Sequence, residues 1–292
     1  MLTALLPLLA CMMSTGSVKA NLDWASSSLY ILGCSKNAAP DQVPKLASNI
    51  QVLLSTLSNP LKQGTVIIYG DGASRQQFLK SNHSAYVFLD DQYNHHSRTM
   101  RIANCRNQLL SKVGEMVTSR KEEISRVFFI MLDLDGVNCR EYNMAVFREV
   151  TKNYHEWASV SFNRPNYYDI WALRTDRFNM NIFNAKTPIP ALHISKDDID
   201  QELANTVNPY YPVISAFNGI AIYRYNYTIG CQYDGLDRKS HYLTAEDCEH
   251  VAFHKCITTK NNGKVVIYKH SLNKLSEAAK RSHHHRANIT RA

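Results

Sequence analysis

The chain has 292 residues, 33 Lys and Arg against 25 Asp and Glu, and 45% hydrophobic with 10% aromatic residues. That composition excludes a disordered or collagen-like polymer, and the length suffices for a core that needs no disulfide scaffold. No apolar run approaches the roughly 18 residues of a membrane-spanning helix, which excludes an integral multi-span protein.

The formal net charge of +8 is uneven, because six basic side chains face Glu277 alone from Lys269 onward. The 269–292 tail, with His283, His284 and His285 in it, reads as a solvated end. Weak contact with a membrane surface of anionic headgroups is the sharper alternative. The body is too weakly charged to suggest a nucleic-acid partner.

In chain order, Ala4–Met13 is an apolar stretch the length of a signal-peptide core, with small residues at Val18-Lys19-Ala20 for cleavage after residue 20. Its n-region lacks Lys and Arg, so a poorly ordered cytosolic start competes with a cleaved signal peptide. The sequons Asn82-His83-Ser84, Asn226-Tyr227-Thr228 and Asn288-Ile289-Thr290 lean towards the secretory pathway lumen or secretion over the cytoplasm. Without Cys11 six cysteines remain; the count permits bridges without demanding them. Cys248 and Cys256 are too far apart on one helix to pair.

Ser28–Gly33 reads as a short strand, and Asp41–Leu57 carries a helical stripe at Val43, Leu46, Ile50, Leu53, Leu54 and Leu57. Thr65–Gly70 is strand again, with a short helical piece around Gln76–Lys80. Ala85–Asp90 is a third strand and Thr99–Val117 a second long amphipathic helix. Val127–Asp133 is apolar throughout until its last residue, as befits a strand covered on both faces. Tyr142–Val150 is helical; Trp157–Phe162, Tyr168–Leu173 and Val213–Tyr223 read as β pieces, and a helix follows from about Cys248 to Thr258. This alternation predicts α/β architecture in a single domain: a mixed, mostly parallel, Rossmann-like sheet flanked by helices. Ligands of such sheets bind at the carboxyl ends of strands, here just after Gly33, Gly70, Leu89 and Leu132.

Asp133-Leu134-Asp135-Gly136 leaves the most apolar strand. Two acids one residue apart at a strand exit can aim both carboxylates at one hard cation, Mn²⁺ or Mg²⁺, and ending an apolar strand this way is costly without one. Two reactions suit the triplet. The cation can bridge these acids to the diphosphate of a nucleotide sugar. Alternatively Asp133 is the nucleophile of a haloacid-dehalogenase-like phosphatase, although no Gly-Asp-x-x-x-Asp follows to complete that site.

Taken in order, Leu29–Asn37, Thr65–Ala73, Arg101–Leu110, Phe128–Asn138, Tyr167–Arg174, Ala216–Arg224 and Glu246–His254 resemble segments of the metal-dependent glycosyltransferases of GT-A fold. The likeness is strongest to the fungal capsular-mannosyltransferase-like group and its relatives in large DNA viruses, and it spans residues 28–268. It implies a hexosyltransferase, with mannose as one candidate sugar, that uses a nucleotide-sugar donor and a glycan or glycoprotein acceptor.

Residue by residue, the resemblance implies that Tyr69 leads to the nucleotide, with Asp71 near base or ribose. Arg101, Arg106 and Asn107 fall on the donor side, Arg106 being the best match to a diphosphate because a guanidinium fork fits phosphate oxygens. Tyr168, Asp169, Trp171 and Arg174 would line the acceptor, with Asn218 and Gly219 at a break where backbone approaches ligand. Strand alternation would put Asp169, Trp171 and Leu173 on one face. In the nine residues Glu246–His254, His254 or His250 is the candidate third metal ligand, and Glu249 and Asp247 the candidate base or acceptor contact. One departure stands out: the family's acidic run is replaced by Gly70-Asp71-Gly72-Ala73-Ser74. A catalytically inactive sugar-binding module is the reading that departure motivates.

Overall fold

A computed structural model describes residues 26–35, 39–58, 64–80, 86–90, 95, 97–164, 169–177, 196–238 and 246–273. The expected signal segment, the tail beyond residue 273, the sequons at Asn82 and Asn288, and Tyr168 lie outside the described residues. Among the described residues no helix is long and apolar enough to cross a membrane.

Eight strands form one sheet: β1 (Ser28–Ser35), β2 (Thr65–Gly70), β3 (Tyr86–Asp90), β4 (Val127–Asp133), β5 (Ser159–Asn163), β6 (Tyr210–Pro212), β7 (Ile220–Arg224) and β8 (Val265–Ser271). Their order is β3-β2-β1-β4-β7-β5-β8-β6. The β3-β2-β1-β4 block is parallel, β7 runs antiparallel between β4 and β5, β8 is parallel to β5, and β6 is antiparallel to β8. This is the expected mixed, mostly parallel α/β sheet. Its main carboxyl edge gathers Ser35, Gly70, Asp90, Asp133 and Asn163, and the antiparallel β7 brings its amino end, Ile220, to the same edge.

Helices α1 (Val43–Leu57), α2 (Gly72–Lys80), α3 (Arg98–Ser119), α4 (Met144–Lys152), α5 (Lys196–Asn205) and α6 (Glu249–Thr259) cover the sheet. The period-2 pleat sorts the core in two. Ile31, Ile68, Phe128, Ile130 and Leu132 face α1 and α4, with Leu46, Ile50, Leu53, Phe147 and Trp157. Tyr30, Leu32, Phe129 and Met131 face α3 and α6, with Leu109, Val113, Val251 and Phe253. Two of the helices start where short polar side chains take orphan N–H groups. Ser97 Oγ accepts from Met100 N at 3.2 Å for α3, and Asn143 Oδ1 from Ala145 N at 3.3 Å for α4.

Two disulfides are present, Cys34–Cys105 and Cys231–Cys256, while Cys139 and Cys248 are free. The expected strand over 168–173 is replaced by a turn at 170–172 that ends in a single bridge between Arg174 and Ser215. The cause is local: Asp169 Oδ1 accepts from Ala172 N at 3.0 Å, a side-chain turn that competes with extended pairing. Facing by strand alternation therefore does not apply to Asp169, Trp171 and Leu173. The β run expected over 213–223 is likewise split by Asn218 (φ 55°) and Gly219 (φ 83°), and β7 begins only after them.

Candidate functional site

Alternation directs Asp133 to the α3/α6 face, in line with Phe129 and Met131, and Asp135 continues in extended backbone (φ −137°, ψ −174°). Asp135 is exposed and caps the 3₁₀ turn Gly136–Cys139 through a 3.0 Å bond from Val137 N. The turn is clasped from beneath by Asn138, fully buried, whose Nδ2 donates to the carbonyls of Asp133 and Gly219, each at 2.8 Å. Asn138 Oδ1 accepts from Tyr142 Oη at 3.1 Å and from the buried Arg164. Gly219 O also accepts from Asp133 N at 2.9 Å. A Cβ on Gly219 would sit 2.9 Å from Val137 Cγ1, so both its positive φ and its crowding require glycine.

Asn218 positions Asp169: its Oδ1 accepts from Asp169 N at 3.2 Å while its Nδ2 donates to Phe162 O at 2.9 Å. Asp133, Asp135 and Asp169 thus meet at one edge, fastened by two asparagines and a glycine. Burial pushes Asp133 up to about 7 against the pull of Arg106, and Asp135, Asp169 and Glu249 add to the rise. Burial lifts Asp169 to about 6, against its bond from Ala172 N, with Glu249 again adding. The cluster is richer in carboxylates than in cations.

Arg106 is 4% exposed, and its guanidinium bridges two elements. Nη2 donates to Asp133 Oδ1 at 2.9 Å, and Nη1 meets Glu249 Oε1 and His250 Nε2 at the start of α6. It lies 4.6 Å from the centroid of Phe217 and 5.6 Å from that of Tyr233. Burial works against its charge, yet Glu249 and Asp133 together outweigh that and raise its pKa. Both ends of the fork expected to face a donor diphosphate are bonded to protein groups.

The two histidines expected as candidate metal ligands are engaged by protein groups as well. His254 is fully buried, with Nδ1 3.0 Å from Ser215 Oγ and Nε2 2.9 Å from Tyr223 Oη, so both ring nitrogens are occupied. Burial, then Arg106, hold its pKa down to about 3. His250 stacks on Phe217 at 3.8 Å and turns Nε2 to Arg106; burial, Arg106 and His254 hold it well below the usual range. Two neutral imidazoles therefore pack inside the α3/α6 layer. Glu249, the candidate base, is 5% exposed and paired with Arg106. Among the described residues no group of three or more His, Cys, Asp or Glu is arranged to hold a metal ion.

Asp247 and Arg174 turn out to be each other's partner. Arg174 Nη2 donates to Asp247 Oδ1 at 2.7 Å, and Nη1 donates to the carbonyls of Trp171 at 2.6 Å and Leu173 at 2.9 Å. Arg174, expected on the acceptor side, is 2% exposed, and the side chain of Asp247, expected as a base or acceptor contact, is 17% exposed. Asn107 is occupied too, exchanging two bonds with the backbone of Tyr233 at 2.9 and 2.8 Å. Arg101 reaches back to His95 O at 2.6 Å, and Asp71 accepts from Ser74 N at 2.8 Å at the start of α2. Trp171 is half-buried against the α3/α6 core.

Asn138 and Arg164 escaped the sequence reading. Asn138 sits three residues after Asp135 with no apolar periodicity to mark it. Arg164 pairs with no carboxylate among the described residues and instead serves Val137 O at 2.8 Å and Asn273 Oδ1 at 3.3 Å. Neither role leaves a linear signature.

No family model and no curated protein matches this chain. Among solved structures it is similar to the galactosyltransferase LgtC, determined in complex with donor and acceptor sugar analogues. That similarity has a TM-score of 0.30 and 10% identity over 67% of this chain. This chain spans 57% of that protein's length, and nothing in the match bears on the capsular-mannosyltransferase-like group.

Proposed function

We propose that the chain is a divalent-metal-dependent glycosyltransferase that moves a hexose, mannose being one candidate, from a nucleoside diphosphate sugar to a hydroxyl of a glycan or glycoprotein. One observation carries this reading: Asp133 and the exposed Asp135 leave the middle of the sheet at its carboxyl edge, beside Asp169, in a cluster with more carboxylates than cations. The donor set fits a hard dication, because it is oxygen only and the charges there repel one another. Asp133 and Asp135 would hold Mn²⁺ or Mg²⁺, and the ion when bound would neutralise charge on a leaving diphosphate. The chain's own groups do the rest. Asn138 and Gly219 fix the backbone of the two acids, Arg106 steadies Asp133, and Asn218 holds the backbone of Asp169, which on this reading would contact the acceptor. The two disulfides and the sequon at Asn226 support a secretory compartment.

A thermal-shift screen of UDP- and GDP-sugars with and without Mn²⁺, followed by transfer assays on hits, tests the proposal. A stabilisation that requires both nucleotide and Mn²⁺, absent in Asp135→Ala, is expected. Phosphate release from p-nitrophenyl phosphate with Mg²⁺, without nucleotide-sugar binding, would replace the proposal with the phosphatase. Glycan binding without any nucleotide shift would replace it with the inactive module.

A further inference from the structure

The Cys34–Cys105 disulfide lies beside the site in two senses. Cys34 shares the α3 face of β1 with Tyr30 and Leu32, and in the parallel β1–β4 register it stands directly opposite Asp133. Cys105 is the residue before Arg106 on α3, so the two side chains leave the helix about 100° apart. One points down to the sheet, the other sideways to α6. The same short piece of α3 is therefore tied to the carboxyl edge of the sheet twice, once covalently to β1 at 34–105 and once by charge to β4 at 133–106.

The two ties are not redundant. A buried guanidinium is stable only where its geometry meets both partners, since desolvation otherwise outweighs the attraction. Arg106 must reach Asp133 on β4 and Glu249 on α6 together, and a small roll or slide of α3 would break one contact and favour swinging outwards. Among the described residues the other polar ties from the middle of α3 to this region are those of Asn107 to Tyr233, which fix a loop, and a long 3.5 Å bond from Asn104 Nδ2 to Tyr69 Oη on β2.

We infer that the Cys34–Cys105 disulfide is a positioning element of the site, holding α3 at the height and roll that keep Arg106 bridged between Asp133 and Glu249. Cys248 is the built-in reporter. It is a free thiol, 4% exposed, on the residue that starts α6 immediately before Glu249. When the bridge loosens, the first turn of α6 keeps the Arg174–Asp247 tie but loses the one through Glu249, and this thiol becomes more reachable.

The experiment uses the full chain carrying Cys34→Ala and Cys105→Ala, with Leu53→Ala on α1, across the sheet, as a destabilised control whose crosslink is intact. Native-state labelling by a thiol reagent, with each labelled cysteine located by mass spectrometry, should find Cys248 reacting at least about ten-fold faster in the double variant than in Leu53→Ala. Mn²⁺ titration without nucleotide, the one readout that rests on the proposed function, should show affinity about ten-fold weaker in the double variant alone. A Cys248 rate no faster than that of the control overturns the inference. If the wild type binds no Mn²⁺, the transferase proposal fails and the labelling still decides this one. Should the double variant not fold, mild phosphine reduction of a chain carrying Cys231→Ala and Cys256→Ala, so that the crosslink opened is 34–105 and not the one on α6, gives the comparison at Cys248.

Discussion

Arg174 Nη2 donates to Asp247 Oδ1 at 2.7 Å and joins the turn after β5 to the residues that open α6. The arginine is buried and the aspartate side chain is 17% exposed, so the pair is largely withdrawn from water. Removing one partner leaves the other charge stranded. Asp247→Ala is expected to destabilise the fold by about 3 kcal/mol, read from the urea midpoint. A loss below about 1 kcal/mol, the level of a surface pair, would contradict the assignment.

Asp135 and Asp133 should respond differently to truncation. Asp135 is exposed and makes one capping bond to Val137 N, so Asp135→Ala should cost only about 1 kcal/mol of stability. On the proposed function it should still lower transfer on the order of a thousand-fold. Asp133→Asn should lower both, since it also weakens the hold on Arg106. Retained turnover by Asp135→Ala at ordinary Mn²⁺ would remove the metal role.

Acid response should separate the buried bases from the buried acids. His254 is held down to about 3 and His250 well below 6.5, so their neutral burial supports the fold above 6.5 and that support is lost as pH falls towards the folded values. Asp133 and Asp169 are raised to about 7 and about 6, so their contribution is full below the ordinary 3.8 and is lost as pH rises through those values. Between pH 4.5 and 6 the two trends oppose, each worth about 1.4 kcal/mol per pH unit per proton. Relative to the wild type, the melting temperature of His254→Asn should therefore gain on acidification and that of Asp169→Asn should lose. Parallel profiles for all three proteins would refute the assignment.

Gly219 is a position where a single methyl group should reach the site. Gly219→Ala forces an L residue to φ 83° and a 2.9 Å approach to Val137 Cγ1. The expected loss is about 1–3 kcal/mol. The same change to Gly72, where nothing lies within 4 Å, should be neutral or slightly stabilising. Calorimetry of the two variants makes the comparison.

The half of the fold built on local periodicity was readable from residues alone. The apolar run of Val127–Asp133 and the stripes on α1 and α3 announce themselves because burial on a pleat or a helix repeats every few residues. Strand β8 was overlooked, and 168–173 misread, because pairing with β5 and the Asp169 turn depend on partners far away or on one side-chain bond. The site followed the same division. Two acids closing a greasy strand are visible in a line of text. That Arg106, Glu249, His250, Arg174 and Asp247 satisfy one another is not, because the ionic and imidazole groups that bind substrates are also those that neutralise a core.

The slot occupied by β7 bears on the chain's biogenesis. Strand β4 leaves synthesis with its far edge bare, and the segment that covers it, 220–224, emerges almost ninety residues after β4 ends. During that interval a run of Val, Phe, Phe, Ile, Met and Leu presents unsatisfied main-chain groups to any passing strand. A nascent chain halted before residue 220 should be a sticky species that requires chaperone cover, whereas one halted after β7 can already close its central ladder.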